Sequence, residues 1–168
     1  MSVSDSVALS STSSLTISAW VKTSTSQSMK GVVTRGVSGS DYDAMLYLSG
    51  GASPSANFYI KDSAGTGDNI GSYAFNYVDN SWHHYVVLFD GDWMYLYIDG
   101  IMRISKNTSL TNIRDSSNPL RIGSGYGYYF NGLIDDVQIY NYALTATQVK
   151  TLFNEGAAVR FGPSQGLP

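Results

Sequence analysis

The stretch "WHHYVVLFDGDWMYLYIDGIMRIS", from Trp82 to Ser105, carries the clearest structural signal in the sequence. Three runs of alternating side chains are separated by Asp90-Gly91 and Asp99-Gly100. An Asp-Gly pair between alternating strands favours a tight type I′ hairpin, because glycine accepts a positive φ at no steric cost and aspartate tolerates it. The stretch therefore predicts three adjacent antiparallel strands.

The middle strand of this meander has two different faces. Its apolar face consists of Met94, Leu96 and Ile98. The opposite face carries the aromatic residues Trp93, Tyr95 and Tyr97. We expect the apolar face to pack on an opposing sheet, whereas the aromatic face is either covered by loops or lines a groove in which rings stack on sugars. His83 and His84 follow the same alternation, and we predict a packing role for them.

Further β-rich runs precede the meander. They are "SLTISAWVKT" (14–23), "KGVVTRG" (30–36), "DAMLYLS" (43–49), "ANFYIKD" (56–62) and "GSYAFNYV" (71–78). Turn signals recur about every 8–12 residues, which is typical of an antiparallel sandwich or barrel. The sequence therefore predicts an all-β domain.

A strand followed by a helix is predicted in "GLIDDVQIYNYALTATQVKTLF" (132–153). Thr145 and Gln148 have the spacing of a capping box, and Leu144 and Val149 that of a hydrophobic staple. Gly156 is placed to end the helix. We therefore expect the domain to cover residues 1–156, with 157–168 as a C-terminal extension or linker.

Asp135 interrupts the apolar pattern of the predicted strand. Simple alternation places it on one face with Leu133, Val137 and Ile139. A buried carboxylate is costly unless it is paired, hydrogen-bonded or bound to a cation. Two interpretations follow: backbone amides at the sheet rim satisfy Asp135, or a calcium ion is held by Asp135 or Asp136 together with backbone carbonyls.

Composition narrows the class of protein. The 168 residues fit one domain, and only 14% of them are charged. The absence of cysteine excludes disulfides, thiol catalysis and cysteine-bound zinc. A net charge of −3 with scattered Lys and Arg predicts that neither nucleic acid nor an anionic membrane is a partner.

The same composition bears on location. No apolar run approaches the ~18 residues of a membrane span, so we expect no membrane insertion. Ser, Thr, Asn and Tyr take the place usually filled by Lys and Glu, which is typical of extracellular modules. We expect a module of a larger protein that is extracellular, on a cell surface or on a virion.

A Gly-rich, Tyr-rich segment is the candidate recognition loop. "IGSGYGYYFNG" (122–132) contains Tyr126, Tyr128 and Tyr129 and lacks the lysine and context of a phosphate-binding loop. It is either an aromatic rim loop, since tyrosine offers large contact area at small entropy cost, or an edge strand with packed tyrosines.

Asp41 is a further candidate ligand residue. Asp41 and Asp43 have alternate-carboxylate spacing but lack the rest of an EF-hand.

Catalysis finds little support in the sequence. Glu155, the single glutamate, follows the predicted helix stripe, and no predicted strand carries an acid and base pair. Motifs for a serine nucleophile or a zinc protease are absent as well. We therefore predict that the protein is not an enzyme.

Several segments together resemble one superfamily. They are "LTISAWVKT", "GVVTRG", "NSWHHYVVLFDGDWMYLYIDG", "PLRIGSG" and "FNGLIDDVQIYNYALTATQVKTLFNEG". Their order, from about Ser14 to Gly156, is similar to that in the bacterial and phage laminin G-like branch of the concanavalin A-like lectin/glucanase superfamily. The resemblance implies an all-β jelly-roll sandwich of two antiparallel sheets with one short C-terminal helix. It also raises the expectation of calcium, which related lectin domains often carry.

The N-terminus departs from that resemblance. Relatives usually begin with a strand before the segment that here reads "SVSDSVALS", and this chain starts after that strand. A sheet edge would then be left open, or "AAVRFG" (157–162) would fill it.

The function expected from these observations is recognition. The most favoured reading is a non-catalytic carbohydrate-binding module whose partner is a glycan or cell-surface polysaccharide. In it, tyrosines stack on sugar rings while Asn and Asp, with or without calcium, bind hydroxyls. The alternative is a protein-adhesion domain or a purely structural assembly domain.

Overall fold

The computed structural model describes residues 1–4, 13–26, 28–36, 41–50, 53–125 and 127–161, with side chains described up to residue 155. Nearly all regular structure in these ranges is extended, as alternating sequences favour. The first strands are β1 (Ser2–Val3), β2 (Leu15–Lys22), β3 (Lys30–Gly36), β4 (Tyr42–Ser49), β5 (Ser55–Lys61), β6 (Gly67–Asn69) and β7 (Tyr73–Ala74). The others are β8 (Trp82–Phe89), β9 (Trp93–Ile98), β10 (Ile101–Asn107), β11 (Leu120–Ile122), β12 (Ser124–Gly125), β13 (Tyr128–Tyr129) and β14 (Leu133–Tyr140), followed by helix α1 (Ala146–Phe161).

Two antiparallel sheets form the domain. In the described ranges, the seven-stranded sheet has the order β1-β11-β3-β4-β5-β6, with β7 also pairing with β5. The five-stranded sheet has the order β10-β9-β8-β2-β14, and β12 and β13 form a separate hairpin. All of these pairs are antiparallel, so the predicted all-β sandwich of two antiparallel sheets with a C-terminal helix is confirmed.

The main core lies between the two sheets. Alternate residues of β9, namely Met94, Leu96 and Ile98, pack there as predicted. Leu46 and Phe58 of the seven-stranded sheet belong to the same buried cluster. Full burial of such a side chain contributes about 1.5–3 kcal/mol, so this interface supplies much of the driving force for folding.

The C-terminal helix covers the outer face of the five-stranded sheet. Its capping box is confirmed: Thr145 N donates to Gln148 Oε1 at 2.8 Å, and Gln148 N donates to Thr145 Oγ1 at 3.3 Å. Leu144 and Val149 are buried together, as the staple requires. Phe153 stacks on Trp20 with 5.7 Å between ring centroids. The aromatic face of β9 is thus partly covered by a helix rather than by loops.

Helix α1 does not end at Gly156, where the sequence predicted its end. It continues to Phe161, past Gly156, so the predicted stop was wrong. Residues 157–161 are therefore helical and do not fill a sheet edge. That edge position is taken by β1, which pairs with β11 through Ser2↔Arg121 and Val3↔Leu120.

The two Asp-Gly turns of the meander differ. Asp99 and Gly100 have φ of 53° and 73°, as a type I′ turn requires, so this prediction is confirmed. In the other turn, Asp90 N donates to Trp93 O at 3.1 Å, which makes Gly91 and Asp92 the central residues. The side chain of Asp90 accepts hydrogen bonds from the amides of Asp92 and Trp93. The type I′ prediction was wrong there because the side chain of Asp90 organises a different turn.

Candidate functional site

The β12–β13 hairpin rests on the outer face of β3. Thr34 Oγ1 donates to Ser124 O at 2.9 Å, and Gly123 N donates to Val32 O at 2.9 Å. Gly31 faces Gly125 so closely that a Cβ on Gly31 would lie 2.7 Å from Ser124 O. The hairpin is thus fixed to the sheet by backbone contact, and glycine at position 31 makes this contact possible.

A cleft of about 280 Å³ opens beside this hairpin. Its lining residues are Thr34, Tyr42, Arg121, Ser124, Gly125, Gly127, Tyr128 and Tyr129. Tyr128 is 58% exposed and Tyr129 is 83% exposed. They are not the packed tyrosines of an edge strand, which was one of the two sequence interpretations. Tyr126, the third predicted tyrosine, lies outside the described residues.

Two positively charged side chains, Arg121 and Lys30, lie near these tyrosines. The Arg121 guanidinium donates a hydrogen bond to Gly36 O. Lys30 Nζ lies 3.9 Å from the centroid of the Tyr128 ring, a cation–π distance. Among the described residues that line the cleft, none carries a carboxylate. The cleft therefore combines aromatic surface, backbone polar groups and a cation.

Asp41 lies in a charge cluster and is not among the residues that line this cleft. Its Oδ1 accepts hydrogen bonds from Arg114 at 2.7 Å and Lys61 at 3.0 Å. Hydrogen bonds from Arg114 and then Lys61 lower the pKa of Asp41. Its ligand role stays a prediction, although the structure does not bring it together with Tyr128 and Tyr129.

Asp43 occupies the centre of the same charge cluster. It is 0% exposed, and its carboxylate accepts hydrogen bonds from Arg114 Nε at 2.5 Å and from the Ser116 hydroxyl. Arg35 Nε lies 3.9 Å from Asp43 Oδ2, while Arg35 also donates to Asp115 at 2.6 Å. The cluster binds the 108–119 segment to β3 and β4. Its carboxylates are compensated by arginine and lysine, as buried charges require.

A β-bulge in β14 resolves the position of Asp135. Asp135 pairs with Trp20, but the next pair is Gln138↔Ser18, so the register shifts between them. Asp136 has φ of 46°, and this extra residue reverses the alternation. Ile134 and Val137 therefore pack on the core while Asp135 is exposed. The prediction that Asp135 shares a face with Val137 was wrong.

The two adjacent carboxylates offer few ligands to a metal. Asp135 Oδ1 accepts a hydrogen bond from Asp136 N at 2.8 Å. In the part of the chain that is described, no group of three or more His, Asp or Glu side chains could hold a metal ion. Since calcium takes about six to eight oxygen ligands, Asp135 and Asp136 do not by themselves fit it. Calcium at this position stays a prediction that depends on backbone carbonyls and water.

The two histidines have separate environments. His84 is buried in contact with Trp20, with 5.0 Å between ring centroids, and its Nε2 lies 2.8 Å from Ser18 Oγ. His83 lies between two carboxylates: Nδ1 is 2.8 Å from Asp99 Oδ2, and Nε2 is 3.2 Å from Asp79 Oδ2. Sequence reasoning missed this pairing. The i, i+4 spacing of Asp79 and His83 was the available signal.

The carboxylates around His83 favour its protonated form. Burial by itself would lower the pKa of His83, but the hydrogen bonds and negative charges of Asp99 and then Asp79 outweigh it and raise that pKa above its usual value. Asp99 also accepts a hydrogen bond from His84 N at 2.9 Å. The trio therefore links the β9–β10 turn to the start of β8.

The two antiparallel sheets and the C-terminal helix define the class of a jelly-roll β-sandwich. The chain belongs to the concanavalin A-like lectin/glucanases superfamily, since its Laminin_G_3 family model matches residues 1–150. The resemblance stated from the sequence is confirmed. No curated protein matches the chain in sequence.

Solved structures share this fold at low sequence identity. The botulinum neurotoxin serotype G binding domain has a TM-score of 0.69 and 17% identity, covering 92% of this chain and 40% of that one. A heptameric SAP-like pentraxin from Limulus polyphemus has a TM-score of 0.67 and 18% identity, covering 84% of this chain and 70% of that one. This chain thus spans well under half of the neurotoxin domain, and these likenesses carry the fold alone.

A third similar structure comes from an enzyme's accessory domain. It is domain 4 of an extracellular arabinanase from Geobacillus stearothermophilus in complex with arabinotriose. Its TM-score is 0.64 at 21% identity, and the match covers 86% of this chain and 68% of that one.

Among the described elements of our chain, no helix has the length and apolar character needed to cross a membrane.

Proposed function

We propose that this domain is a non-catalytic carbohydrate-binding module that uses the cleft beside Tyr128 and Tyr129. The observation that carries the proposal is the exposure of Tyr129, whose ring is 83% accessible at the mouth of a polar cleft. Exposed aromatic rings offer flat apolar surfaces to the C–H faces of sugars, and Arg121 with nearby backbone groups can bind hydroxyls. A structural neighbour that is in complex with arabinotriose supports a sugar ligand for this fold.

A glycan array tests this proposal with a matched pair of variants. Tyr129→Ala removes the most exposed ring of the cleft. Tyr142→Ala removes an exposed tyrosine that is not among the lining residues. We expect Tyr129→Ala to weaken glycan binding about tenfold or more, since stacking of one ring contributes about 1.4 kcal/mol. Tyr142→Ala should bind as the unaltered protein does. Equal binding by both variants would rule out this cleft.

The absence of catalysis is also part of the proposal. Glu155 lies on α1, and the Ser18–His84 pair is buried, with both residues 2% exposed. A buried hydroxyl offers no access to a polysaccharide. Glycans incubated with the protein should therefore stay intact, which mass spectrometry of the recovered glycan can verify.

Calcium enters the proposal as a loop-stabilising ion at Asp135 and Asp136. Saturating calcium then raises the melting midpoint relative to chelator, because a ligand that binds only the folded state stabilises it. The double variant Asp135→Asn/Asp136→Asn should lose this increase. A midpoint that is the same in chelator and in millimolar calcium would remove the ion from the proposal.

Protein adhesion is the second candidate function, and a different surface favours it. A groove of about 620 Å³ lies between the β9–β10 turn and α1. Ile101 and Met102 on its wall are about half exposed, and Phe153 contributes an aromatic ring. If the domain binds no glycan either with or without calcium, protein adhesion or a structural role in assembly becomes the favoured function.

The proposed location follows from the proposed ligand. Polysaccharides are met outside cells, and one structural neighbour is part of an extracellular arabinanase. We propose that the domain is a module of an extracellular, cell-surface or virion protein. Labelling of intact cells or particles with an antibody against the domain tests this.

A further inference from the structure

The charge of the cleft differs from the charge of the whole chain. The protein has 13 acidic and 10 basic residues and a net charge of −3. The cleft, in contrast, has Arg121 as the one charged side chain among its described lining residues, and Lys30 lies against Tyr128 beside it. A local positive charge on a negative protein is a feature that a neutral ligand would not need.

The other cations near this sheet are already paired. Arg114 binds Asp43 and Asp41, Lys61 binds Asp41, and Lys106 binds Asp68. Within the described residues, no ion pair joins a carboxylate to Arg121 or Lys30. These two cations therefore differ from those that serve the fold.

Arg121 is also held in place. It lies on β11, paired with Ser2 on one side and Thr34 on the other, and its guanidinium is fixed by Gly36 O. A guanidinium has five N–H donors, so the bond to a single carbonyl oxygen leaves donors for a planar anion. A fixed arginine loses little freedom on binding, which favours two-point contact with a carboxylate or sulfate.

We infer that the cleft takes an acidic sugar, one that bears a carboxylate or sulfate group. Arg121 binds the anionic group, Lys30 adds a second positive charge, and Tyr129 stacks on the ring that carries it. This inference rests on the proposed carbohydrate-binding function and names the chemical class of the ligand. It changes the expected partner from polysaccharides in general to polyanionic ones.

Paired polysaccharides test the inference directly. Polygalacturonate and hyaluronan are printed beside their fully carboxyl-esterified forms, and chondroitin sulfate is printed both beside desulfated chondroitin and beside desulfated, carboxyl-esterified chondroitin. Within each pair the sugar backbone is the same and only the charge differs. We expect binding to at least one acidic chain to be about tenfold tighter than to its uncharged form, since a hydrogen bond to a charged group is about twice as strong as a neutral one. The pairs also separate carboxylate from sulfate as the recognised group.

Variants of the two cations locate the effect. Arg121→Gln should reduce the acidic-to-neutral ratio to about twofold or less, and Lys30→Gln should reduce it by a smaller factor. Arg103→Gln, on β10 of the other sheet, is the matched control and should leave the ratio unchanged. If loss of the Gly36 contact prevents Arg121→Gln from folding, Arg121→Lys keeps the charge and loses the two-point geometry. It should lower carboxylate binding while retaining salt-sensitive attraction.

The possible results are distinguishable. Equal binding to the acidic and uncharged chains would overturn the inference and leave the proposed carbohydrate function standing. An acidic-to-neutral binding ratio that is unchanged in both Arg121→Gln and Lys30→Gln would also overturn it, because other residues would then bind the anionic group. Binding to none of these chains would overturn the inference, whereas only binding to no glycan on the array would overturn the proposed function as well.

Discussion

Thr34 and Arg35 are neighbours on β3, and their side chains lead to two very different regions. Thr34 holds the β12–β13 hairpin through Ser124 O and lines the cleft. Arg35 joins the charge cluster around Asp43, where every charged group has a partner of opposite sign. Because successive side chains on a strand point to opposite faces, one sequence step separates a surface exposed for binding from a cluster that stabilises the fold.

The difference teaches how to separate stability from recognition in this molecule. In the charge cluster, oppositely charged groups compensate one another, so removing the buried carboxylate of Asp43 leaves arginines without their buried partner. In the cleft, the rings of Tyr128 and Tyr129 face solvent, so removing one of these two rings changes little except what can bind there. Substitutions in the two regions should therefore have opposite effects on stability and binding.

The largest effect is expected at Asp43. Asp43→Ala leaves Arg114 Nε and the neighbouring Arg35 without the buried carboxylate, and such a broken pair costs about 3–5 kcal/mol. Urea denaturation should show this loss of unfolding free energy. Asp115→Ala is the control: its side chain is 38% exposed, and Arg35 keeps its hydrogen bond to Ser116 O and its approach to Asp43, so this variant should cost less than Asp43→Ala. If Asp43→Ala costs no more than Asp115→Ala, the cluster is not a source of stability.

Gly31→Ala should have the next largest effect, because Gly31 lies where the hairpin contacts β3. The new Cβ would approach Ser124 O at 2.7 Å and Thr34 Cγ2 at 2.5 Å. Such overpacking costs about 1–3 kcal/mol and should displace the hairpin, so glycan binding falls along with the melting midpoint. Adding Thr34→Ser removes one of the two clashes and should restore part of the stability. If Gly31→Ala binds glycan as well as the unaltered protein does, the binding site does not depend on the contact between the β12–β13 hairpin and β3.

A smaller effect, dependent on pH, is expected at His83. Because its pKa is raised in the folded state, its contribution to stability is fully present below about pH 6.5, the usual histidine pKa. That contribution is lost as the pH rises through the raised folded value. Urea denaturation from pH 5.5 to 8.5 should therefore show a decrease that is weaker in His83→Gln. The same decrease in both proteins would assign it to other groups.

The smallest effect on stability is expected at Tyr129. Its ring is exposed, so Tyr129→Ala should change the free energy of unfolding by no more than about 0.5 kcal/mol. The same variant should lose glycan binding, which makes it the reverse of Asp43→Ala. A loss of several kcal/mol would mean that the ring supports the hairpin rather than a ligand.

Local patterns predicted the fold well. The alternation in β2, β8 and β9, the Asp99-Gly100 turn and the capping box at Thr145 each depend on residues close in sequence, and the structure bears them out. The helix end was missed because Gly156 is followed by Ala157 and Ala158, whose high helix propensity favours continuation of α1.

The site was only partly predictable. Tyr128 and Tyr129 could be identified from composition, whereas Arg121 was missed although it lies close to them in sequence, because its place in the cleft depends on the pairing of β11 with β3. The Arg114–Asp43 contact joins residues 71 positions apart, so no local pattern indicated that these carboxylates are already neutralised. Asp135 was placed on the wrong face because simple alternation ignores a bulge whose position depends on pairing with β2.

The bulge at Asp136 makes the length of β14 as important as its composition. Without the bulge, the full sequence of β14 would alternate without interruption, so that the half before Asp136 and the half after it would demand opposite orientations. Either Asp135 would then be driven into the core or Ile139 would be expelled from it. Deleting residue 136 would instead place Ile134, Val137 and Ile139 at alternate positions on one face without a bulge, so the bulge accommodates one extra residue whose side chain contributes nothing to the core.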